Sequence, residues 1–401
     1  MTGHRNGPQH CCEAHPLHSR LPKTGSRCTQ RRPFVDSGGL STRFALILVD
    51  VKEVSVTASI RKRILTGDRP TGKLHLGHYV GTLMNRVKLQ HEYETFILIA
   101  DVQALSTHWD RPEVLRETVR EVALDYFAVG IDPAVSTICV QSMIPPIAEL
   151  SVIYGLFTRM NKLRHNPTLK TEAQSYGYMK GDDLMLGFDK LTYGFFGYPI
   201  SQAADITFVR ANLVPVGEDQ VPHIELCRDI VGWFNQLYGR GAQVIPQPEA
   251  LVGDIPRLSG LDGQSKMGKS LGNAVLISDD DASILESVMR AVTDPQKIRR
   301  NDPGHPEVCN VFAYHRVFSP PDEVACIERD CRSGTLGCVE DKRRLARTLQ
   351  QLVEPFRQRR AVWESRPDDV TDVLMSGTAR ARAEGEETLQ IVRQAMGIDY
   401  W

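Results

Sequence analysis

The stretch from Thr66 to Leu83 places the strongest constraint on how this chain folds. It follows a short apolar run, reads TGDRPTGKLHLGHYVGTL, and opens into a helical pattern near His78. A strand, a glycine-rich turn and a helix N-terminus can cradle phosphate, because glycine lets the backbone approach and the helix end offers N–H groups. His75 and His78 can donate hydrogen bonds to phosphate oxygens. The stretch predicts a nucleotide site; the simpler interpretation is a surface turn with two incidental histidines.

Short apolar runs alternate with helical patterns from about residue 60 onward. The predicted strands are Arg63–Thr66, Thr95–Ala100, Ser136–Val140 and Leu213–Val216. The predicted helices are Pro112–Val129, the segment after Pro145-Pro146, Ile200–Val209 and Val221–Leu237. This alternation predicts an α/β fold, in which a Rossmann-like parallel sheet is covered by helices. The ligand site of such a sheet lies at the carboxyl ends of its strands.

The chain after about residue 275 shows helical patterns only and predicts an all-helical C-terminal domain. Asp281–Val292 begins with acidic residues, as a helix N-terminus prefers. An apolar stripe follows at 345–356, where we expect Pro355 to bend the helix. The expected divisions are an N-terminal extension at 1–58, a catalytic domain at 59–275 with an insertion at roughly 151–195, and the helical domain at 276–401.

The first 58 residues differ in composition from the rest, being rich in Arg, His, Ser, Gly and Pro. A disordered extension is the favoured interpretation, with a metal-binding His/Cys tract or a transit peptide as alternatives. The formal net charge of −1 means that a nucleic acid would have to meet a local basic patch.

The cysteines and the apolar runs indicate the cellular setting. Nine cysteines are scattered along the chain, and this odd number favours reduced thiols and a cytoplasmic location. Cys326, Cys331 and Cys338 fit no zinc template. No run of eighteen apolar residues occurs, so we expect no membrane partner.

A second polar loop, Asp262–Ser270, carries two lysines and reads DGQSKMGKS. Lys266 and Lys269 suit a negative charge that migrates during a reaction, such as departing pyrophosphate. A lysine-rich loop alone is weak support, since most such loops are simply solvated. Its place far downstream of the His-x-Gly-His turn strengthens both motifs.

Together the two motifs resemble the HIGH and KMSKS signatures of class I aminoacyl-tRNA synthetases. They stand here as HLGH at 75–78 and KMGKS at 266–270. Over residues 62–401 the chain is most similar to bacterial-type tryptophanyl-tRNA synthetases, in the runs RPTGKLHLGHYVG, YPISQAADI, LVPVGEDQVPHIELCRDI and AMGIDYW. Three positions depart from the family: Arg69 stands where many members have Gln, His78 where many have Asn, and Gly268 where KMSKS has Ser.

The resemblance implies a ligase that activates L-tryptophan with ATP, releases pyrophosphate, and transfers tryptophan to tRNA(Trp). The catalytic residues it implies are His75, His78, Lys266 and Lys269. The ATP-binding residues it implies are Arg69, Pro70, Thr71, Gly77, His78, Gly217, Glu218, Asp219, Arg257, Lys266, Met267, Gly268, Lys269 and Ser270. The tryptophan-binding residues it implies are Tyr198, Gln202, Asp205 and Gln220. Asp205 would accept from the indole N–H, a tryptophan side chain's single polar group.

The resemblance also implies partners. Mg²⁺ would be carried with ATP, because the sequence shows no carboxylate cluster of its own for it. The family is usually homodimeric. Basic helices at 340–366 would meet tRNA, with Arg343, Arg344 and Arg347 as candidates, although a solvated helix face explains the same charges.

Simpler interpretations and rival functions stay open at this point. Gly217–Gln220 also reads as a helix N-cap, and Asp205 as an exposed helix acid. The nearest rival is a tyrosyl-tRNA synthetase, which shares the fold. A second is a synthetase paralogue that serves as a binding or regulatory protein. A small nucleotidyltransferase is disfavoured, since the second motif and the helical domain would be unexplained.

Overall fold

Five parallel strands form the central sheet. The computed structural model describes residues 61–179, 181, 183–253, 258–263, 267–268 and 271–400. The strands are β1 (Arg63–Asp68), β2 (Glu94–Ile99), β3 (Ser136–Val140), β4 (Leu213–Val216) and β5 (Glu249–Val252). Their order is β3-β2-β1-β4-β5, and every neighbouring pair is parallel. The predicted Rossmann-like sheet is confirmed; the interpretations of residues 1–58 lie outside the described residues.

Helices connect the strands and make up most of the chain that follows them. Up to β5 they are α1 (Leu76–His78), α2 (Met84–Leu89), α3 (Asp101–His108), α4 (Glu113–Val129), α5 (Pro145–Phe157), α6 (Met160–Arg164), α7 (Pro167–Ser175), α8 (Tyr193–Thr207) and α9 (Val221–Tyr238). After β5 they are α10 (Asp281–Met289), α11 (Asn310–Phe318), α12 (Pro321–Arg332), α13 (Cys338–Glu364) and α14 (Pro367–Met396). Within the described ranges, none of these helices combines the length and apolar character needed to cross a membrane.

The sheet separates two hydrophobic cores. Along β2, Phe96 and Leu98 point into one core, while Ile97 and Ile99 point into the other. Successive side chains of a strand point to opposite faces of the sheet. A parallel sheet that is covered by helices on both faces therefore has apolar side chains at successive positions. The first core includes residues of α5, α8 and α9, and the second includes residues of α4, α10 and α13. The late helices therefore pack directly against the sheet domain.

Helix α14 covers the edge strand β3. The hydroxyl of Thr378 accepts a hydrogen bond of 3.0 Å from the N–H of Val140, which would otherwise lie unpaired at the sheet edge. Its neighbour Gly377 lies so near that an added Cβ would be 2.1 Å from the carbonyl oxygen of Ile138. Only glycine allows this approach, so the edge is closed by backbone contact.

Ion pairs fasten α14 to the amino ends of the strands. Arg63, the first residue of β1, contacts Glu94 at 2.8 Å and Glu384 at 2.6 Å. Arg210 contacts the same Glu384 at 2.9 Å, and Arg380 contacts Glu94 at 2.9 Å. This network lies at the end of the sheet opposite to the predicted ligand site, so it serves structure.

The structure differs most from the sequence predictions at α8 and β5. Helix α8 begins at Tyr193 and runs through Pro199, well before the predicted start at Ile200. Its buried aromatic side chains outweigh the poor helix propensity of its glycines and proline. Strand β5 has no counterpart among the predicted strands. Helix α13 includes Pro355 within its 27 residues, and the bend expected there stays a prediction.

We expect Gly377→Ala to lower the free energy of unfolding by about 3 kcal/mol, because the new methyl group would separate α14 from β3. Gly155, on α5, is the matched control, since an added Cβ there meets nothing within 4 Å. Gly155→Ala should be neutral or stabilising by about 0.5–1 kcal/mol. Denaturant unfolding followed by circular dichroism measures both. Equal stability of the two variants would contradict the edge contact.

Candidate active site

The carboxyl ends of β1 and β4 lie side by side where the strand order reverses. From β1 the chain continues to β2 on one side, and from β4 to β5 on the other. Open parallel sheets bind their ligands at such a switch point. Arg69 follows β1 there and Gly217 follows β4, while β2 and β3 end along the same edge. The predicted turn and the Gly217–Gln220 segment are therefore brought to one edge of the sheet.

The two histidines of the first motif contact each other. His75 is the N-cap of α1, and its ring centroid lies 3.8 Å from that of His78. The backbone N–H of His75 donates to Nδ1 of His78 at 3.2 Å. Because Nδ1 accepts, the neutral ring of His78 carries its hydrogen on Nε2. His78 therefore presents Nε2 as a hydrogen-bond donor.

Gly77 joins the first motif to the second. Its N–H lies 3.3 Å from Sδ of Met267, 190 residues away. An added Cβ would be 2.9 Å from Nδ1 of His75 and 3.4 Å from the same sulfur. A side chain here would displace the histidine or the methionine. The two motifs are thus in direct contact, and glycine is needed where they meet.

Gly268 of the second motif and residues on either side of the motif are held by hydrogen bonds. The N–H of Gly268 donates to Oδ1 of Asn273 at 2.8 Å, and the amide of Asn273 donates to Asp262 at 2.9 Å. The backbones at 74–76 and 275–277 pair through two hydrogen bonds of 2.9 and 3.0 Å. The predicted residues that lie outside the described ranges are Arg257, Lys266, Lys269 and Ser270.

A buried charge cluster, missed by the sequence reasoning, ends β1. Asp68 contacts Nη1 of Arg86 at 2.5 Å and accepts a 2.8 Å hydrogen bond from the hydroxyl of Tyr126. Burial acts to raise the pKa of Asp68, but the charge of Arg86, the nearby His78 and the hydrogen bonds from Arg86 and Tyr126 lower it below its usual value. Asp68 is therefore an ionised carboxylate near His78.

The turn after Asp68 is tied to the elements around it. Nη2 of Arg69 lies 3.3 Å from Oε1 of Glu172 on α7, within the predicted insertion. The carbonyl of Pro70 accepts a 2.5 Å hydrogen bond from the hydroxyl of Thr118 on α4. Thr71 is exposed, and its N–H donates to the carbonyl of Arg69 at 2.8 Å. All three predicted residues are in the turn, with Arg69 directed towards the insertion.

Asp205 is buried on α8, not exposed as the simpler interpretation had it. It is 4% exposed, and its Oδ1 accepts from Nε2 of Gln141 at 2.6 Å. Gln141 is oriented in turn by the N–H of Gln103, which donates to its Oε1 at 2.9 Å. Burial raises the pKa of Asp205 to about 7; the bond from Gln141 opposes the rise and Asp101 adds to it.

Gln141 and Gln103 were not predicted from the sequence, although their positions after predicted strands indicate a place at the binding edge of the sheet. Gln141 directly follows β3, and Gln103 lies in the first turn of α3 after β2. Polar residues just after buried parallel strands meet at the binding edge of the sheet. Both amides are buried, which indicates that they orient Asp205 rather than contact solvent.

Tyr198 lies on the same helix as Asp205 and contacts His223 of α9. Its hydroxyl is 2.9 Å from Nε2 of His223. Burial, with Glu172 nearby, raises the pKa of Tyr198. Burial, with the charge of Arg69, lowers the pKa of His223 to about 4. Both groups are therefore neutral near pH 7, and they link α8 to α9.

Gly217–Gln220 follows β4 as predicted, with Gly217 as the N-cap of a short 3₁₀ turn at Glu218–Gln220. Glu218 and Asp219 are exposed, and the carbonyl of Asp219 accepts from Thr168 at 2.8 Å. Gln202 is half-buried on α8, one turn before Asp205. The N-cap and site interpretations of the segment are compatible.

No group of three or more His, Cys, Asp or Glu side chains within the described ranges has an arrangement suited to a metal ion. What the described site offers is the paired imidazoles of His75 and His78, an ionised Asp68 and a buried Asp205. Donors suit phosphate, and a buried acceptor suits a polar group on an otherwise apolar ligand.

Comparison with known proteins places the chain among its relatives. The family model for tRNA synthetases class I (W and Y) matches residues 59–354. The tryptophan–tRNA ligase of Streptococcus mutans is 45% identical over 344 residues, which cover 84% of this chain and 98% of that protein. That of Aquifex aeolicus is 40% identical over 399 residues, covering 84% and 100%.

A solved structure agrees with these relatives. Tryptophanyl-tRNA synthetase from Campylobacter jejuni, complexed with ADP and tryptophan, matches with a TM-score of 0.71 at 27% identity, over 84% of this chain and 99% of that one. The chain therefore belongs to the class I tRNA synthetases for tryptophan and tyrosine, and within them to the tryptophan–tRNA ligases. The resemblance read from the two motifs is confirmed, and the protein is an enzyme.

Proposed function

We propose that the chain activates L-tryptophan with ATP and transfers it to tRNA(Trp). The contact between Gly77 and Met267 carries this proposal, because it unites the two motifs that the reaction needs. In the first step the carboxylate of tryptophan attacks the α-phosphorus of ATP and pyrophosphate leaves. In the second, a ribose hydroxyl of the tRNA attacks the carbonyl of the adenylate and AMP leaves. Both steps depend on positioning and charge stabilisation more than on a protein nucleophile.

ATP binds at the turn between β1 and α1 in this proposal. His75 and His78 lie towards its phosphates, a role supported by the sequence motif, and the backbone N–H of His75 orients the ring of His78. Arg69, Pro70 and Thr71 line one side of the nucleotide. Gly217, Glu218 and Asp219 hold the adenosine, since an exposed carboxylate can accept from ribose hydroxyls.

The second motif neutralises the leaving pyrophosphate. Met267 and Gly268 bring the loop to the turn, and Lys266, Lys269 and Ser270 supply charge and a hydroxyl, a role supported by the sequence motif. Arg257 is a further ATP contact on the same basis. Mg²⁺ arrives with ATP and is held mainly by its phosphates, as is usual for this ion.

Asp205 selects tryptophan by accepting a hydrogen bond from the indole N–H. Its burial supports this role, because a buried acceptor favours the one ring that brings a donor. Its present donor is the neutral amide of Gln141, which occupies one carboxylate oxygen and leaves acceptor capacity on the other. Tyr198, Gln202 and Gln220 lie towards the amino and carboxylate groups of the substrate.

The same proposal assigns tRNA to the basic face of α13. Arg343 is exposed, whereas Arg344 and Arg347 lie 3.8 and 3.4 Å from Glu340. Partial neutralisation by Glu340 weakens the latter two as phosphate contacts, so Arg343 contributes most. Arg343→Gln should reduce the salt dependence of tRNA binding by about one phosphate contact. An unchanged slope would contradict this.

We place the enzyme in the cytoplasm, because the cysteines of the described structure are all free thiols, as a reducing compartment favours. They are Cys139, Cys227, Cys309, Cys326, Cys331 and Cys338. Recovery of the activity in an organelle or membrane fraction would contradict this.

ATP–pyrophosphate exchange across the twenty amino acids, followed by tRNA charging, tests the activity. We expect exchange with tryptophan, little with tyrosine, and charging of tRNA(Trp). Lys269→Ala should lower the exchange rate by about 10²–10³-fold with little change in tryptophan affinity. Lys88→Ala, an exposed lysine on α2, is the control. Exchange with tyrosine would indicate that the chain is the rival tyrosyl-tRNA synthetase. Absence of exchange with every amino acid would indicate the non-catalytic paralogue.

Tryptophan affinity should fall as the pH is lowered through about 7. Burial raises the pKa of Asp205 to about 7, so the acceptor becomes protonated below that pH. The dissociation constant, measured by equilibrium dialysis, should rise about tenfold per pH unit well below the pKa. Asp205→Asn should bind weakly at every pH.

Unfolding does not explain this expected loss of affinity. A carboxyl whose pKa is raised by folding contributes stability at low pH and loses it as the pH rises through the folded pKa. The titration of Asp205 therefore stabilises the fold over the range in which affinity falls. A flat affinity in the wild-type protein would remove Asp205 as the indole acceptor.

We further propose that the enzyme is a homodimer joined through α5 and α6. Val152, Leu156 and Met160 are 65%, 73% and 57% exposed, and the first two share one face of α5. Light scattering should give twice the chain mass of 44.9 kDa for the wild type and the monomer mass for Leu156→Glu. Leu237→Glu, on α9, is the control at 58% exposure. A dimeric Leu156→Glu variant would contradict this surface.

A further inference from the structure

A single buried carboxylate connects the ATP turn to the helical region. Asp125 of α4 is completely buried, and its Oδ2 accepts from the N–H of Leu74 at 2.7 Å. Leu74 directly precedes His75. The other oxygen, Oδ1, accepts from Nη1 of Arg360 on α13 at 2.5 Å. Any change in this pair therefore reaches the first histidine of the motif through one backbone bond.

A second tie runs between the same elements. Glu121, one turn before Asp125 on α4, lies 3.5 Å from Nζ of Lys73 and accepts from Nη2 of Arg360 at 2.6 Å. Thr118, a further turn back, holds the carbonyl of Pro70. Spacings of three and four place the three α4 residues on one helix face. That face lies along the turn, and Arg360 joins its two carboxylates.

Arg360 has the partners and the burial needed to fix this face. Its side chain is 5% exposed and also contacts Glu364 at 2.7 Å. A buried guanidinium presents donors in a rigid fork, so it fixes both the distance and the angle between its carboxylates. Removing one member of such a pair leaves an uncompensated charge, and neighbouring groups move to solvate it. The part of the chain that would move first is the turn at Leu74, whose N–H donates to Asp125.

We propose that Asp125 and Arg360 are positioning residues for the ATP step: they set the place of Leu74 and thereby of His75 and His78. The tryptophan pocket at Asp205 is held by other elements, through Gln141 and Gln103. The pair therefore acts on ATP use and leaves tryptophan binding unchanged. This inference rests on the proposed function.

Kinetics of the exchange reaction separate the two substrates. Asp125→Asn keeps the size of the side chain and an acceptor for Leu74 but loses the charge that pairs with Arg360. We expect kcat/KM for ATP to fall at least tenfold in Asp125→Asn and Arg360→Gln, with the tryptophan dissociation constant within twofold of the wild type. Arg360→Lys keeps the charge and should recover part of the loss.

The matched control is Arg63→Gln. Arg63 also bridges two carboxylates, Glu94 and Glu384, but at the opposite end of β1. Thermal unfolding is measured for every variant. The control should lose stability without losing kcat/KM for ATP. Equal losses of ATP use in Arg63→Gln and Arg360→Gln, or equal losses for both substrates in Asp125→Asn, would overturn the inference.

The pH dependence of kcat/KM for ATP is a further test, because it would not change if Asp125 had a purely structural role. Burial raises the pKa of Asp125 to about 6; Arg360, the Leu74 N–H and Lys73 oppose the rise and Glu121 adds to it. Glu364 also faces Arg360. In the wild type, kcat/KM for ATP should fall below about pH 6, and Asp125→Asn should lack this component. Because ATP also takes up a proton in this range, the difference between the two profiles is the measurement.

In Arg360→Gln, the fall in kcat/KM for ATP that is due to protonation of Asp125 should occur at higher pH, because the cation that favours ionised Asp125 is gone. A profile unchanged in Arg360→Gln would overturn the role of the pair. Absence of exchange in the wild-type enzyme would instead refute the proposed function, so the two failures are distinguishable. Protonation of Asp125 stabilises the fold, since its pKa is raised on folding, and therefore a loss of rate at low pH does not report unfolding.

Discussion

Charge buried beside an irregular turn is the constraint on which this site depends. Asp68 and Asp125 hold the two ends of the turn, and a buried carboxylate is tolerated only with a partner. The partners, Arg86 and Arg360, come from α2 and α13, far apart in the chain. The turn can therefore be rich in glycine and proline and still be fixed. Its rigidity comes from the surrounding helices rather than from its own sequence.

The same side-chain type serves different ends because its partners differ. Arginine and tyrosine keep the pKa of Asp68 below its usual value, whereas Asp125 is raised to about 6 by burial against one arginine. Asp205, whose partner is the neutral amide of Gln141, is raised to about 7. A carboxylate saturated by cations is structural. A carboxylate that is held only by an amide can still accept a hydrogen bond from a ligand, but its raised pKa makes that capacity depend on pH.

Much of the fold could be predicted because parallel strands are short apolar runs between turns. The predicted bounds of β3 and β4 match the structure. β5 was missed because its four residues, EALV, include no fully buried one. The part of α8 before Ile200 was missed because Pro199 and two glycines hide a helix held by packing. In the site, the motifs revealed His75 and His78. Asp125 resembled an ordinary helix acid, although apolar neighbours on both sides were a signal of its burial. Arg360, its partner 235 positions away, gave no signal in the sequence that the two would meet.

The meeting of the two motifs has a geometrical cause that neither motif shows alone. Leu76 donates to Val275, and Ile277 donates to Leu74, so a short antiparallel pairing joins the turn to the chain just after the lysine loop. Met267 reaches Gly77 from the other side of that loop. The loop is therefore attached to the turn both through Met267 and after its end. Any movement of the turn must therefore be passed to Met267 and Gly268, the described residues of the second motif.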